Sequence, residues 1–244
     1  MRAVRALVML AAAGALATTA CTTEPAGPAA TPSPSTSAGP ATEVRDLRAI
    51  AEQILPSVVS VDVRGGRGVI GSGFRVAIPG IVVTNAHILQ GATEVSVILR
   101  NGTRRTARVL GSAPDYDIAA LQVDDSGLPP LHSRSGLADV RTGDPVLAIG
   151  YQHGAADAVT SGTVRALNHP VRLSDGGAEL GVVQTDAAIT PDAGGGPLVN
   201  TRGEVLGVLT TIATPRNETG STGSTFAIPV DVARREAMKI VAGA

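Results

Sequence analysis

Aromatic residues make up only 2% of the 244-residue chain, and tryptophan is missing altogether. The core must therefore come mainly from Val, Ile, Leu and Ala, which the 43% hydrophobic fraction supplies in sufficient quantity. With 29 Gly and 16 Pro, this composition suits close-packed β-structure with many turns, in one all-β domain or two small ones. Cysteine is almost absent as well. Cys21 stands alone, which excludes an intrachain disulfide, and nothing supplies the clustered ligands of a structural zinc site. No metal or other cofactor is expected. Nor is there an excess of one charge: 20 Lys and Arg against 21 Asp and Glu leave a formal net charge of −1. Without long basic runs, nucleic acid is excluded as a partner.

What is present begins with an address. Residues 1–20 read as a signal peptide, with Arg2 and Arg5 as a positive n-region and Ala6–Ala17 as a short apolar h-region. That run falls short of the about 20 residues a spanning helix needs. Thr18-Thr19-Ala20-Cys21 resembles a bacterial lipobox, in which the cysteine is acylated and becomes the mature N-terminus. The usual Leu three residues before the cysteine is Thr18 here. The alternative is secretion after Ala15-Leu16-Ala17, which would leave Cys21 as a free thiol. Residues 21–42 are the lipidated cysteine followed by Thr, Ser, Pro, Ala and Gly almost throughout. Such a stretch cannot bury a core; at roughly 3 Å per residue it would tether a domain up to about 60 Å from a membrane, and its composition also permits a glycosylated stalk.

From Glu43 onward the pattern is that of a folded domain. Val44, Leu47, Ile50, Ala51, Ile54 and Leu55 recur at helical spacing before Pro56. Strands then dominate: Ser57–Val63, Val69–Val76, Ile81–Thr84, Glu94–Arg100, Thr103–Leu110, Ile118–Val123, Pro145–Gly150, Ala158–Leu167, Leu180–Thr185, Pro197–Asn200, Glu204–Thr211 and Thr225–Ile228. Asn101-Gly102 predicts a tight hairpin. Asp231 is expected to cap a closing amphipathic helix over Val232–Ala242. Many short strands, Gly-rich turns and a helix at each end predict an antiparallel barrel or sandwich without internal repeats.

Three stretches carry chemistry. IVVTNAHIL places His87 directly after a buried strand, and APDYDIAALQV places Asp117 at the entrance of another. Taken singly, each is more often structural than catalytic. The third is QTDAAITPDAGGGPLVN, Gln184–Asn200, a glycine-rich turn between two apolar stretches. Together they follow the chain order His, Asp, nucleophile turn, one of the orders that build a hydrolytic triad. That chemistry needs a neutral imidazole to take the nucleophile's proton, a buried carboxylate to fix its tautomer, and backbone N–H groups facing the oxyanion. Yet the turn holds no Ser, Cys or Lys.

With GSGF at Gly71–Phe74, GDPVLAIG at Gly143–Gly150, TSGTVRAL at Thr160–Leu167, GGPLVNTRGEVLGV and TFAIPVD, these segments resemble the trypsin-like HtrA (Deg) serine proteases, in the family's order across 43–244. The resemblance implies two packed six-stranded antiparallel β-barrels of the trypsin-like fold and an active site in the cleft between them; the family's usual C-terminal PDZ module is expected to be absent, since the sequence stops right after the closing helix. It also assigns His87 and Asp117 as catalytic and Thr190-Pro191-Asp192-Ala193-Gly194-Gly195-Gly196-Pro197 as the family's Asn-Pro-Gly-Asn-Ser-Gly-Gly-Pro turn, with Gly194 at the serine position. The oxyanion hole falls on Asp192, Ala193 and Gly194. Substrate binding falls on Thr190, Leu209, Thr210, Thr211 and Ile212, with Thr190–Gly194 lining the first specificity pocket and Leu206–Ala213 offering an edge to an extended peptide. Without a side-chain oxygen at Gly194 no acyl-enzyme forms, and loss of a triad member costs on the order of 10⁶-fold in turnover. Asp192 replaces an oxyanion-hole glycine and brings a repelling charge; removing one such donor costs roughly 10²–10³-fold.

Thr190, Ser112 and Ser161 are not placed beside His87 by the resemblance. His132, His153 and His169 lie in Gly/Pro-rich connections and are expected to be solvated; Tyr116 is expected to pack. The leading expectation is a pseudoprotease of the bacterial cell envelope that binds a peptide, an unfolded protein or a partner protein in the old cleft. The alternatives are an active HtrA-type endopeptidase in envelope protein quality control and a structural envelope protein with no cleft ligand. The oligomeric state is not specified by the sequence. Because Cys21 is the only thiol and precedes a polar tether, the mature chain is expected to begin at a diacylated Cys21 and to partition with membranes, through which it contacts lipid. Mass spectrometry of the membrane fraction checks this; a mature N-terminus at Thr18 in culture supernatant rules it out.

Overall fold

The computed structural model describes residues 41–65, 70–125, 127–152, 155–173, 179–211 and 225–244. Cys21, His153, Ile212 and Ala213 lie outside the described residues. Helix α1, Ala41–Ile54, begins inside the stretch read as linker. Its Ile50, Ala51 and Ile54 are buried, and the helix runs into a 3₁₀ turn, Leu55–Ser57, that accommodates Pro56.

Seven strands form the first sheet: β1 (Val58–Gly65), β2 (Ile70–Arg75), β3 (Ile81–Thr84), β4 (Ala92–Ile98), β5 (Arg104–Thr106), β6 (Arg108–Ala113) and β7 (Ile118–Gln122). Their order is β5-β4-β1-β2-β3-β7-β6, antiparallel throughout. The single strand expected over Thr103–Leu110 is divided at Ala107, whose side chain is buried and whose N–H donates to the Val95 carbonyl at 2.9 Å. Its first half pairs with β4 and its second with β7, so one bent chain segment supplies both edges and the sheet curls toward itself. The first of the two expected barrels is therefore a curled seven-stranded sheet. The second is a closed barrel, ordered β10-β13-β12-β11-β8-β9, from β8 (Pro145–Gln152), β9 (Ala155–Arg172), β10 (Glu179–Thr185), β11 (Pro197–Asn200), β12 (Val205–Thr210) and β13 (Thr225–Pro229). The Asn101-Gly102 turn joins β4 to β5: Gly102 has φ +81 and donates to the Leu99 carbonyl at 2.8 Å.

Neighbouring residues along these strands enter different cores, because successive side chains point to opposite faces. Val59, Val61, Val82 and Leu121 fill the curled sheet, and Ala148, Leu198, Leu206 and Leu209 fill the barrel. Val58, Val83, Leu147, Ile149 and Val199 join the helices in a third cluster. Strands buried on both faces read as continuous apolar runs, and this is why aliphatic residues suffice for a core with so few aromatic rings. The closing helix α2, Val230–Ala242, starts earlier than expected. Pro229 occupies its N-cap, no side chain caps it, and Asp231 sits in the first turn, where its charge complements the helix dipole.

The turn entering β3 is held by Asp125. Its carboxylate accepts hydrogen bonds from the Arg75 side chain and, at 2.9 Å, from the Gly80 N–H, and Gly80 has φ +70. These contacts, Arg75 foremost, hold the Asp125 carboxyl below its ordinary 3.8. A depressed folded-state value stabilises the fold above 3.8, and the contribution is lost as the pH falls through the lower folded value. Asp125→Asn is therefore expected to lower the Tm at pH 7, with the gap to wild type closing well below pH 3.8. Thermal unfolding across that range checks it, and a gap constant with pH contradicts it.

Candidate active site

His87 follows β3 in a 3₁₀ turn, His87–Leu89. Asp117 ends another, Pro114–Tyr116, in the left-handed conformation at φ 51, and leads into β7. Because β3 and β7 are paired neighbours, residues thirty apart in the chain meet at one end of the sheet. Asp117 is 1% exposed. Its carboxylate lies 3.0 Å from His87 Nδ1 through both oxygens and accepts the His87 backbone N–H at 3.0 Å. Thr210, at the end of β12 in the barrel, donates its hydroxyl to Asp117 Oδ2 at 2.8 Å. Asn85 Nδ2 donates to the Asp117 carbonyl at 3.1 Å. An ionised carboxylate only accepts hydrogen bonds, so the Nδ1 of His87 carries the proton that meets it, and Nε2 faces away from Asp117. The group facing Nε2 is the Thr211 hydroxyl, at 3.4 Å.

Opposite lies the glycine-rich turn. Residues Pro191–Ala193 form a 3₁₀ turn ending at Gly194, anchored to the curled sheet by Ser72. The Ser72 N–H donates to the Gly194 carbonyl at 2.8 Å, its Oγ donates to the Asp192 carbonyl at 2.7 Å, and that Oγ accepts the Tyr151 N–H at 2.7 Å. Two of the three glycines are demanded by packing. Gly195 has φ +86, and a Cβ there would lie 2.1 Å from the Ser72 carbonyl oxygen; at Gly196 it would lie 2.1 Å from that of Ile149. Gly194 differs. Its φ of −55 and ψ of 137 suit any residue, and a Cβ would meet Asn85 Oδ1, the Pro191 carbonyl oxygen and Thr211 Cγ2, each at 3.3 Å. A side chain at 194 thus needs only a small adjustment and would enter the space beside Asn85 and Thr211.

The remaining assignments divide. The Ala193 N–H donates to the Thr190 carbonyl at 3.0 Å and the Gly194 N–H to the Pro191 carbonyl at 3.2 Å; in this conformation neither is available to an oxyanion. Leu209 is 0% exposed inside the barrel core, with its N–H and carbonyl engaged by Gly196 and Gly195, so it presents nothing to a ligand. Thr210 is equally buried. The expected peptide edge is corrected accordingly: β12 is paired on one side with β11 and on the other with β13, which leaves Thr211 as its described exit. Ser112 and Ser161 sit in β6 and β9. His169, expected in a solvated connection, lies within β9 and stacks on Phe226 with ring centroids 5.3 Å apart. Tyr116 packs against the core, with the Arg235 guanidinium 5.7 Å from its ring centre. Sequence reasoning missed Asn85 and Ser72. The TNAH string held Asn85 in plain view, but nothing local signals Ser72, whose contacts are all made across the fold.

A family model for the trypsin-like peptidase domain matches residues 71–208. The chain belongs to the trypsin-like peptidase family. Its relatives are of the HtrA and Deg type. A probable periplasmic serine endoprotease DegP-like of Halomonas elongata is 40% identical over 67% of this chain and 33% of its own length. The serine protease PepD of Mycobacterium tuberculosis is 36% identical over 89% of this chain and 52% of its own. The chain thus spans between a third and about half of these relatives. Among solved structures, the HtrA-type protease AlgW with tripeptide superposes with a TM-score of 0.71 at 30% identity, covering 80% of this chain and 63% of that one. The serine endoprotease from Yersinia pestis gives 0.68 at 30% identity, with 80% and 66% covered.

Within this trypsin-like site, Thr210 is the barrel's hydroxyl contact to the sheet's carboxylate. Thr210→Val keeps the shape and removes the donor, leaving a buried ionised oxygen short of a hydrogen bond. A loss of about 1–3 kcal/mol is expected, readable by denaturant unfolding. A change below about 0.5 kcal/mol would mean that His87 alone satisfies the carboxylate.

Proposed function

We propose that this chain is a pseudoprotease of the HtrA type, held at the bacterial cell envelope, that binds an extended peptide or unfolded segment in the former substrate cleft without cleaving it. The observation that carries the proposal is the glycine triplet. Gly195 and Gly196 are required by backbone packing, whereas Gly194 is not; a side chain there would need only a small adjustment of Asn85, Pro191 and Thr211, and the chain has none. Asp117 and the Nδ1 side of His87 are arranged as a general base requires, but the proton donor it would serve is missing. The periplasmic naming of the Halomonas elongata relative supports the location, and the tripeptide in AlgW supports a peptide as the occupant.

Thr211 is the one described hydroxyl at His87 Nε2 and so favours a second reading, residual hydrolysis. Its distance exceeds the roughly 2.6–3.2 Å reach of a nucleophile and base, and the neighbouring turn N–H groups are already engaged. On this geometry we read Thr211 as a neighbour of the imidazole rather than as a replacement nucleophile.

The loss should be reversible in steps. Gly194→Ser restores the oxygen, with Thr211 shifting by a few tenths of an ångström, but leaves the Asp192 charge and the engaged Gly194 N–H. Asp192→Gly removes the charge and loosens the turn so that its N–H groups can face an oxyanion. Ala193, buried beside Gly150, is left unchanged. The double variant Asp192→Gly/Gly194→Ser is expected to react with a fluorophosphonate and to cleave casein about 10²-fold faster than Gly194→Ser alone, with His87→Ala abolishing the gain. The parent chain is expected to show no His87-dependent cleavage. A correctly folded double variant that does neither would refute the active-site assignment, and His87-dependent cleavage by the parent would refute the pseudoprotease reading.

A further inference from the structure

Away from the cleft, helix α2 roofs a second hollow. Val230, Ala233, Arg234, Ala237 and Met238 recur at i, i+3, i+4, i+7 and i+8, one face of a helix, and all five line a cavity of about 300 Å³. Its other walls include Val83 and Val205, both buried, and the connector Leu131–Ser133. That connector is fixed at both ends: the Leu131 N–H donates to the Arg75 carbonyl at 2.9 Å, and the Val205 N–H donates to the His132 carbonyl at 3.0 Å. The hollow's connector wall is therefore fixed in place, and the middle of the helix face that lines it carries two small residues, Ala233 and Ala237.

Its electrostatics have one sign. No carboxylate lines it, whereas Arg234 does, and Arg234 makes no ion pair among the described residues. The acidic group two residues on, Glu236, is engaged by Arg235 Nε at 2.9 Å and Lys239 Nζ at 3.0 Å, while Asp231 borders a different depression. Met238, the only methionine after Met9, lines the hollow and is 54% exposed. An unbranched thioether left in water beside an apolar cavity is an adaptable lid for an apolar ligand.

We infer that this hollow is a binding site for a small amphiphilic anion, an aliphatic chain bearing a carboxylate, with the chain seated against Ala233 and Ala237 and the carboxylate on Arg234. At about 30 Å³ per water-sized group, the volume suits roughly ten non-hydrogen atoms, the size of a medium-chain fatty acid. The guanidinium offers two parallel donors to a carboxylate, and Ser133 and His132 add polar atoms to the lining. The site is separate from the His87 cleft and does not depend on how that cleft is read.

Met238 supplies the test. In the full chain carrying ¹³C-methyl methionine, decanoate below its micelle-forming range is expected to shift the Met238 methyl signal saturably. Decanol and decyltrimethylammonium should bind at least about tenfold more weakly, and Arg234→Gln should weaken decanoate by about tenfold. Ala237→Leu, or Ala233→Val should the first not fold, fills the hollow and should abolish the shift. Absence of a saturable shift in the wild-type chain overturns the proposal. So does equal binding of decanol, or binding that survives in a folded cavity-filled variant.

Discussion

The carboxylate of Asp117 ties the two β-units together. It is buried to 1% exposure and reached by three donors, two from His87 on the curled sheet and the third from Thr210 on the barrel. An ionised group so placed is tolerated only because its lone pairs are filled, and removing one partner leaves an uncompensated charge in a poorly solvated place. Asp117 even adopts positive φ, a conformation unusual for a side chain other than Asn or Asp. The strand pairing of β3 with β7 and the approach of β12 bring these donors together, and the carboxylate in turn restrains how sheet and barrel meet.

That dependence bears on the pair His87 and Asp117 themselves. Their contacts are structural as well: Asp117 satisfies a backbone N–H and a buried hydroxyl, and its carbonyl takes Asn85 Nδ2. Replacing the Asp117 side chain would strand the His87 N–H and the Thr210 hydroxyl at about 1–3 kcal/mol apiece, a large share of the stability of a domain this size. The presence of the pair is thus weak evidence of catalysis, because these structural contacts account for it on their own.

Most strands were legible because apolar residues clustered between Gly, Pro and Asn-Gly punctuation; Ile81–Thr84 and Pro197–Asn200 match their expected bounds. The division at Ala107 was not, since it is set by the Val95 carbonyl across the sheet and alanine carries no local break signal. His169 misled for the opposite reason: a neighbouring Pro170 suggested a connection, but β9 continues through both residues to Arg172. At the site, the motif strings paired His87 with Asp117, which the structure brings within 3.0 Å. They could not give the Thr211 contact to Nε2 or the engagement of the turn's N–H groups, which depend on the rotamer and peptide orientation adopted there. Leu209 and Thr210 point to opposite faces of β12 and both are buried, Leu209 in the barrel core and Thr210 against Asp117, which nearness to the cleft in sequence does not reveal.

Two oxygens around the turn complete the picture. Among the described residues, Asn85 Oδ1 and Thr190 Oγ1 are buried without a hydrogen-bond partner in the protein, and Asn85 Oδ1 faces the space where a side chain at 194 would begin. Buried polar atoms are ordinarily satisfied, and each exception costs free energy. A Cβ at residue 194 would lie 3.3 Å from Asn85 Oδ1, so a hydroxyl-bearing side chain there would bring a donor toward an oxygen that has none, whereas glycine brings none.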